Sequence, residues 1–462
     1  MTTRLADTDR DPSRVTQSIQ RVNPKAALGV TVVLIAIYIA GLLLFMETST
    51  YDTWGGLILG PILVLVSLPI LARQAARERD RRLFWLLVSA LLVKLAGAFV
   101  FHFVAYDLYD RAADAIGYHW GGVRLAERWR GGGWGTGFPS LTGVYFIKFL
   151  SGILYTVIGP TKFAGGLFFS WLGFWGLFLC YRAFTIAVPE GRARTYARLV
   201  FFLPSLAFWP SSIGKEAWMM LALGVAAYGS ARALSGNTWR GLLMAGLGMW
   251  MAGLVRPHIA GLMGVALAAG YFFRPSRVEL RQLAPIAKGL SMVAVAIVAA
   301  IVVVRAERFL SDAGVETEQG VTGVQYSITA QTSTGGSYFA PSILRSPIQT
   351  PKAVLTVLYR PLPYEAHNGP AIVSSLENTF LILFTLMRIP WGLAALRSIR
   401  RQPYVALAFT YSALFIVAFS SMANFGLLVR QRVQVLPFFL ALLCVPPKRM
   451  EQLPSRPMTP SR

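Results

Sequence analysis

The chain has 462 residues, of which 55% are hydrophobic and only 14% charged, and its mean hydropathy is +0.53. Soluble domains carry about 25% charged residues, so these values exclude a soluble globular enzyme and a disordered protein. Recurring apolar runs of about 20 residues predict an all-α polytopic membrane protein. The net charge of +23, from 44 basic and 21 acidic residues, would point to nucleic acid in a soluble protein. In a membrane protein the positive-inside rule accounts for it, so the lipid bilayer is expected as a partner and nucleic acid is not.

Residues 1–25 are polar and basic without an apolar run, so no cleavable signal peptide is expected and the first span is a retained anchor. About twelve spans follow, near 26–46, 55–72, 83–104, 163–184, 199–213, 217–234, 241–255, 257–273, 288–306, 371–391, 403–421 and 430–446. They form one transmembrane domain over 26–446, with a basic tail before it and a second tail at 447–462. Both tails and the short basic loops then face the cytoplasm, which places the chain in a cytoplasmic (inner) membrane. The apolar stretch 141–159 would invert every later loop if it spanned, turning Arg192, Arg194 and Arg198 outward. It is read instead as a helix lying on, or re-entering, the outer surface. Two long segments, 105–162 and 307–370, remain on the outer face.

Cys180 and Cys444 both lie in apolar runs, and the four histidines share no close ligand spacing, so neither a disulfide framework nor a zinc cluster is expected. The chemistry-bearing residues cluster toward the outer face. Asp107, Asp110, Asp114 and Tyr118 recur at helical spacing and fall on one stripe. Close carboxylates raise one another's pKa, which suits a proton acceptor. A solvated helix start, where acids favour the dipole, is the alternative. His119 adds a second polar contact. Residues 129–140 (WRGGGWGTGFPS) form a glycine-rich hinge, not a phosphate loop, because the strand-to-helix context is missing.

Pro204 and Pro210 interrupt the span that leads to Lys215 and Glu216. Ionisable residues at membrane depth face a cavity or a partner. Arg256 and His258 sit at an outer turn, and an arginine there can grip a phosphate bidentately. Arg430 and Arg432 open the last span; they are too close in sequence to share one helical face, so one of the two is expected to point inward. Above span 371–391, Tyr359, Arg360, Tyr364, Glu365 and His367 combine aromatic faces with polar groups, which suits either sugars or an interfacial aromatic belt.

These stretches resemble the GT-C class of integral-membrane glycosyltransferases, which use polyprenyl-phosphate-linked sugars. The matching segments are Asp114 to Tyr118, Arg124 to Arg128, and Tyr145 to Gly159, with the resemblance covering mainly residues 83–235. Ala115 stands where the family often has a second acid, and two spans precede the usual first one. The later RPH and NxGxxxRxR patterns look like membrane proteins of exopolysaccharide assembly and O-antigen polymerases.

The resemblance implies transfer of a sugar or glycan from a polyprenyl-(di)phosphate carrier to a glycan or glycoconjugate acceptor, in cell-envelope polysaccharide assembly. Asp114, or Asp107, would be the base, and Lys215, Arg256 and Arg430 or Arg432 would hold the phosphate. A divalent cation, magnesium or manganese, stays open as a cofactor. The rival readings are a transporter or flippase for lipid-linked sugars, favoured by deep charges such as Lys94, and a non-catalytic assembly scaffold. The catalytic reading requires Asp114, Lys215 and Arg256 to converge on one cavity.

Overall fold

The computed structural model describes residues 24–105, 114–236, 238–274, 328–330, 332–333, 337–341 and 346–447. Asp107, Asp110 and the expected span 288–306 lie outside the described residues. The described elements are helical, joined by turns and one isolated antiparallel bridge between Tyr338 and Asn424.

In chain order the helices are α1 (Pro24–Thr48), α2 (Tyr51–Arg77), α3 (Arg81–Phe103), α4 (Asp114–Arg130), α5 (Gly143–Ile158), α6 (Lys162–Ala187), α7 (Ala193–Phe202), α8 (Pro204–Phe208), α9 (Lys215–Leu234), α10 (Thr238–Gly253) and α11 (Pro257–Phe272). They continue with α12 (Thr350–Tyr359), α13 (Gly369–Met387), α14 (Ile389–Ser398), α15 (Pro403–Phe419), α16 (Phe425–Arg432) and α17 (Leu436–Leu442). Several of the later helices carry proline in the first turn, where the missing N–H costs no intrahelical bond.

Among the described residues five helices are long and apolar enough to cross a membrane: α2, α3, α6, α9 and α13. The bent pairs α14–α15 and α16–α17 raise the number to seven if each is one span. The described residues therefore do not confirm the expected count of about twelve, and among them proline is a main reason. Pro204 forces Leu203 into extended backbone and ends α7, and Pro210 interrupts the following turn, so the expected span 199–213 is a series of short pieces. The expected span 371–391 is the continuous helix α13, whereas 430–446 is not continuous. The latter falls on two helices, α16 and α17, bent by 61°. The helices α10 and α11 have 16 residues each, about 24 Å, short of a hydrocarbon core of about 30 Å.

The stretch 141–159 is the 16-residue helix α5, laid against α4. Arg130 at the end of α4 donates to the carbonyls of Tyr155 (2.6 Å) and Thr156 (2.9 Å), closing the C-terminus of α5.

Small residues set the core. A Cβ at Gly224 of α9 would collide with the carbonyl of Gly176 on α6, and one at Gly248 of α10 with the amide of Ala226 on α9. These three helices therefore meet backbone to backbone, the small-residue packing of membrane bundles. Two distinct ends result. At one, Arg194 pairs with Asp80 at 2.7 Å, Tyr181 donates to Glu78 at 2.8 Å, and the Arg192 amide donates to the Cys444 carbonyl at 3.0 Å. At the other, Lys162 and Asp52 (2.8 Å) staple the starts of α6 and α2, and the starts of α9 and α11 meet the last turn of α16.

Buried charges hold the broken region. The five-residue α8 has Glu377 at its start, accepting from the Ser205 amide (2.7 Å) and hydroxyl (2.5 Å). Lys94 lies toward its other end and donates to the carbonyls of Leu206 (2.7 Å) and Ala207 (3.2 Å). Both placements complement the helix dipole.

Candidate functional site

Four segments far apart in sequence supply one charged cluster. Asp114 occupies the first turn of α4, Lys215 and Glu216 begin α9, Arg256 is the residue before Pro257 of α11, and Arg430 lies in the last turn of α16. The start of α16 is fixed by Asn424, whose side chain accepts from the Leu427 amide at 3.2 Å.

Glu216 organises the cluster. Its Oε1 accepts from Arg256 Nη2 at 2.7 Å and from Arg430 Nε at 2.8 Å. Arg430 Nη1 reaches on to Asp114 Oδ2 at 2.6 Å. The Glu216 side chain is 1% exposed and that of Asp114 60%, so the chain of ion pairs runs from the buried interior to the exposed surface.

Half-buried Lys215 lies within electrostatic reach of Arg256, Glu216, Arg430 and Asp114. Three cations thus face two carboxylates. Arg256 Nη1 is buried and has no hydrogen-bond partner among the described residues, which leaves a donor unspent beside the cluster. Buried donors are almost always paired, so this one fits a ligand acceptor.

Tyr118, one turn along α4 from Asp114, is buried against the same charges. Burial, reinforced by Asp114 and Glu216, holds its hydroxyl proton well above the ordinary tyrosine range. The phenol is therefore a donor at any working pH. His258 faces Arg256 and Lys215 from the first turn of α11, and its ring lies 6.1 Å from that of Phe419. Asp114, Tyr118, Lys215, Glu216, Arg256, His258 and Arg430, all singled out in the sequence, accordingly meet at one place.

The other candidates lie elsewhere. His119 is turned away between α4 and α5, its Nδ1 2.8 Å from the Tyr155 hydroxyl. Burial pushes its pKa down to about 4, with Asp52 opposing and Lys162 assisting. Arg432 is fully buried and donates through Nη1 to the carbonyls of Leu358 (3.0 Å) and Arg360 (3.3 Å) at the end of α12. It holds a helix terminus and does not join the cluster. Arg360 and His367 line a separate cleft with Glu365.

Lys94, the deep charge that favoured transport, spends its protons on the backbone of α8. Glu377 was not singled out in the sequence, although a lone acid within an apolar run is the signal that would have found it. Among the described residues no group of three or more His, Cys, Asp or Glu side chains converges in a way that could hold a metal ion.

Compared with protein-family models, with curated proteins and with solved structures, the chain finds no match. The class that the structure itself defines is an all-helical membrane protein with a charged cluster at one end of its bundle.

Proposed function

We propose that the protein is a membrane glycosyltransferase of GT-C type. It would move a sugar from a polyprenyl-phosphate or -diphosphate carrier to a glycan acceptor at the outer face of the cytoplasmic membrane. The observation that carries the reading is the ion-pair chain Asp114–Arg430–Glu216–Arg256, with Lys215 and Tyr118 beside it. It combines an exposed carboxylate with an excess of cations at the end of the bundle opposite the Arg194–Asp80 pair.

In this reading the donor phosphate is held by Lys215, by the unspent Nη1 of Arg256 and by Arg430, while the isoprenoid tail lies among apolar helices. Asp114 Oδ2 is taken by Arg430, and Oδ1 has no hydrogen bond among the described residues, which leaves it open to an acceptor hydroxyl. Asp114 takes the hydroxyl proton as the acceptor oxygen attacks the anomeric carbon. The bond from that carbon to the phosphate oxygen breaks, and its electron pair leaves on the phosphate. The three cations stabilise the charge that develops there. A single displacement of this kind inverts the anomeric centre. Glu216, locked between two guanidiniums, sets their positions and does not exchange protons.

The test is transfer of radiolabelled sugar from polyprenyl-phosphate donors to a membrane glycan extract by purified protein, with sugar flipping measured in the same proteoliposomes. Transfer by the wild type supports the enzyme reading. Flipping without transfer would replace it with the transporter reading, in which the cations bind phosphate without chemistry.

A further inference from the structure

A concave site lies across α16 from the cluster. It is a cleft of roughly 190 Å³ between residues 337–341, the loop from Arg360 to Asn368 and the start of α16. We propose that this cleft is a carbohydrate subsite, which holds a neutral sugar unit of the acceptor glycan remote from the reacting hydroxyl. The proposal rests on the glycosyltransferase reading for the word acceptor, but not for sugar binding itself.

The cleft is built rather than incidental. The Phe339 amide donates to the Ala423 carbonyl at 2.9 Å and the Phe425 amide to the Ser337 carbonyl at 3.0 Å, so a short antiparallel pairing fixes the wall. It stacks the rings of Phe339 and Phe425 at 4.2 Å with 10° between their planes. The Arg360 guanidinium lies 4.3 Å from the Phe339 centroid and is held by Glu365, with Nε at 2.8 and 3.1 Å from its two oxygens. Arg360 Nη1 also donates to the Ala340 carbonyl at 3.3 Å, and the Leu362 amide donates to Glu365 at 2.9 Å.

The chemistry of the cleft selects its ligand. Arg360 and Glu365 neutralise each other, so the floor offers directed hydrogen-bonding groups without net charge. An anion would have to displace Glu365 from a bidentate pair, which is costly. A neutral polyhydroxylated ring does not. At the rim, Tyr364 is 78% exposed and Tyr338 55%, and both border the cleft with His367. Aromatic faces left open around a polar hollow suit the apolar face of a pyranose, with its hydroxyls turned to Glu365 and His367.

Position argues for a remote unit. Phe425, in the cleft, and Arg430, bound to Asp114, are five residues apart on α16, about 7.5 Å along the axis and about 140° around it. The cleft and the cluster therefore flank one short helix. A sugar in the cleft is not at Asp114, but a glycan passing α16 reaches both.

The experiment uses full-length protein with Tyr364→Ala and Tyr338→Ala, and Trp134→Ala, an exposed residue that does not line the cleft, as control. Transfer is measured to acceptor oligosaccharides of one to six sugars. The acceptor KM of the tyrosine variants should rise roughly three- to tenfold, the size of one aromatic stack. The rise should grow with acceptor length, while donor KM stays at the wild-type value. A KM change equal at every length, or none, overturns the subsite.

Donor-free binding to an array of glucan, galactan, mannan and chitin oligosaccharides separates this inference from the transferase reading. Binding lost in Tyr364→Ala, with no transfer by the wild type, sustains the sugar site and removes the enzyme. Absence of wild-type binding to any array glycan, together with length-independent KM values, contradicts the sugar site alone.

Discussion

Arg430 Nε lies 2.8 Å from Glu216 Oε1, joining the last turn of α16 to the first turn of α9 across more than 200 residues of chain. Because Arg256 donates to the same oxygen and Arg430 also holds Asp114, one buried carboxylate sets the geometry of both arginines and, through Arg430, of Asp114. Removing it should be far more damaging than its size suggests. Glu216→Gln leaves Arg256 without a counter-ion and Arg430 with Asp114 alone, and breaking a buried pair costs about 3–5 kcal/mol. Thermal unfolding of the detergent-solubilised variant should show that loss. Adding Arg256→Met should recover part of it, since one unpaired cation is removed.

Tyr118→Phe removes a hydroxyl that faces the same charges. In the proposed reading the phenol donates to the carrier phosphate, and a hydrogen bond to a charged group contributes about 1.5–3 kcal/mol, so transfer should fall roughly ten- to hundredfold. Burial and the neighbouring acids hold the phenol proton on. The alkaline limb of the pH–rate profile should therefore be the same in wild type and variant. A shifted alkaline limb would make Tyr118 the titrating group and contradict the assignment.

The helix α8 is held at both ends by buried charge. Lys94→Met should leave the Leu206 carbonyl without its donor and lower stability by about 1–3 kcal/mol, with donor KM unchanged. Glu377→Gln keeps an acceptor for the Ser205 amide and should cost less than Glu377→Leu, which keeps none. Thermal unfolding of the three variants gives the order directly.

His119 gives the fold an acid sensitivity. It is neutral against Tyr155, and its pKa falls from the ordinary 6.5 to about 4, chiefly through burial, with Asp52 and Lys162 the charges facing it. Between these values the unfolded chain takes up a proton that the folded one refuses. The stabilisation is thus complete above pH 6.5 and declines as pH falls toward 4. The pH dependence of unfolding should be shallower over that interval in His119→Gln.

Close helix contacts give the last prediction. Gly176→Val or Gly224→Leu drives a side chain into the backbone of the neighbouring helix, which cannot move aside, and should abolish folding. Gly246→Ala on α10 meets nothing within 4 Å and should be neutral or stabilising by about 0.5–1 kcal/mol. Yield and thermal stability of the membrane-extracted protein check both.

Much of this site was legible in the sequence because charge is scarce in an apolar chain. Asp114, Lys215, Glu216, Arg256 and Arg430 stand out wherever they fall, and all five meet. Which of two nearby groups points inward was harder to read. Tyr118 and Arg430 enter the cluster while their neighbours His119 and Arg432 turn to helix contacts, a choice made by tertiary packing. Apolar length located the helices but misjudged their continuity. Pro204 and Pro210 break one expected span, and the bend between α16 and α17 breaks another. Glu377 escaped notice because its partner, the Ser205 amide, is a backbone group exposed only by that break.

The central claim is that Asp114 acts in chemistry while the cations bind the carrier. The most direct measurement compares wild type and Asp114→Asn for binding of a polyprenyl-phosphate sugar and for single-turnover transfer. The account predicts binding within a few-fold of wild type and transfer lost by several orders of magnitude, with Arg256→Gln showing weakened binding instead. Transfer by Asp114→Asn at the wild-type rate would contradict it.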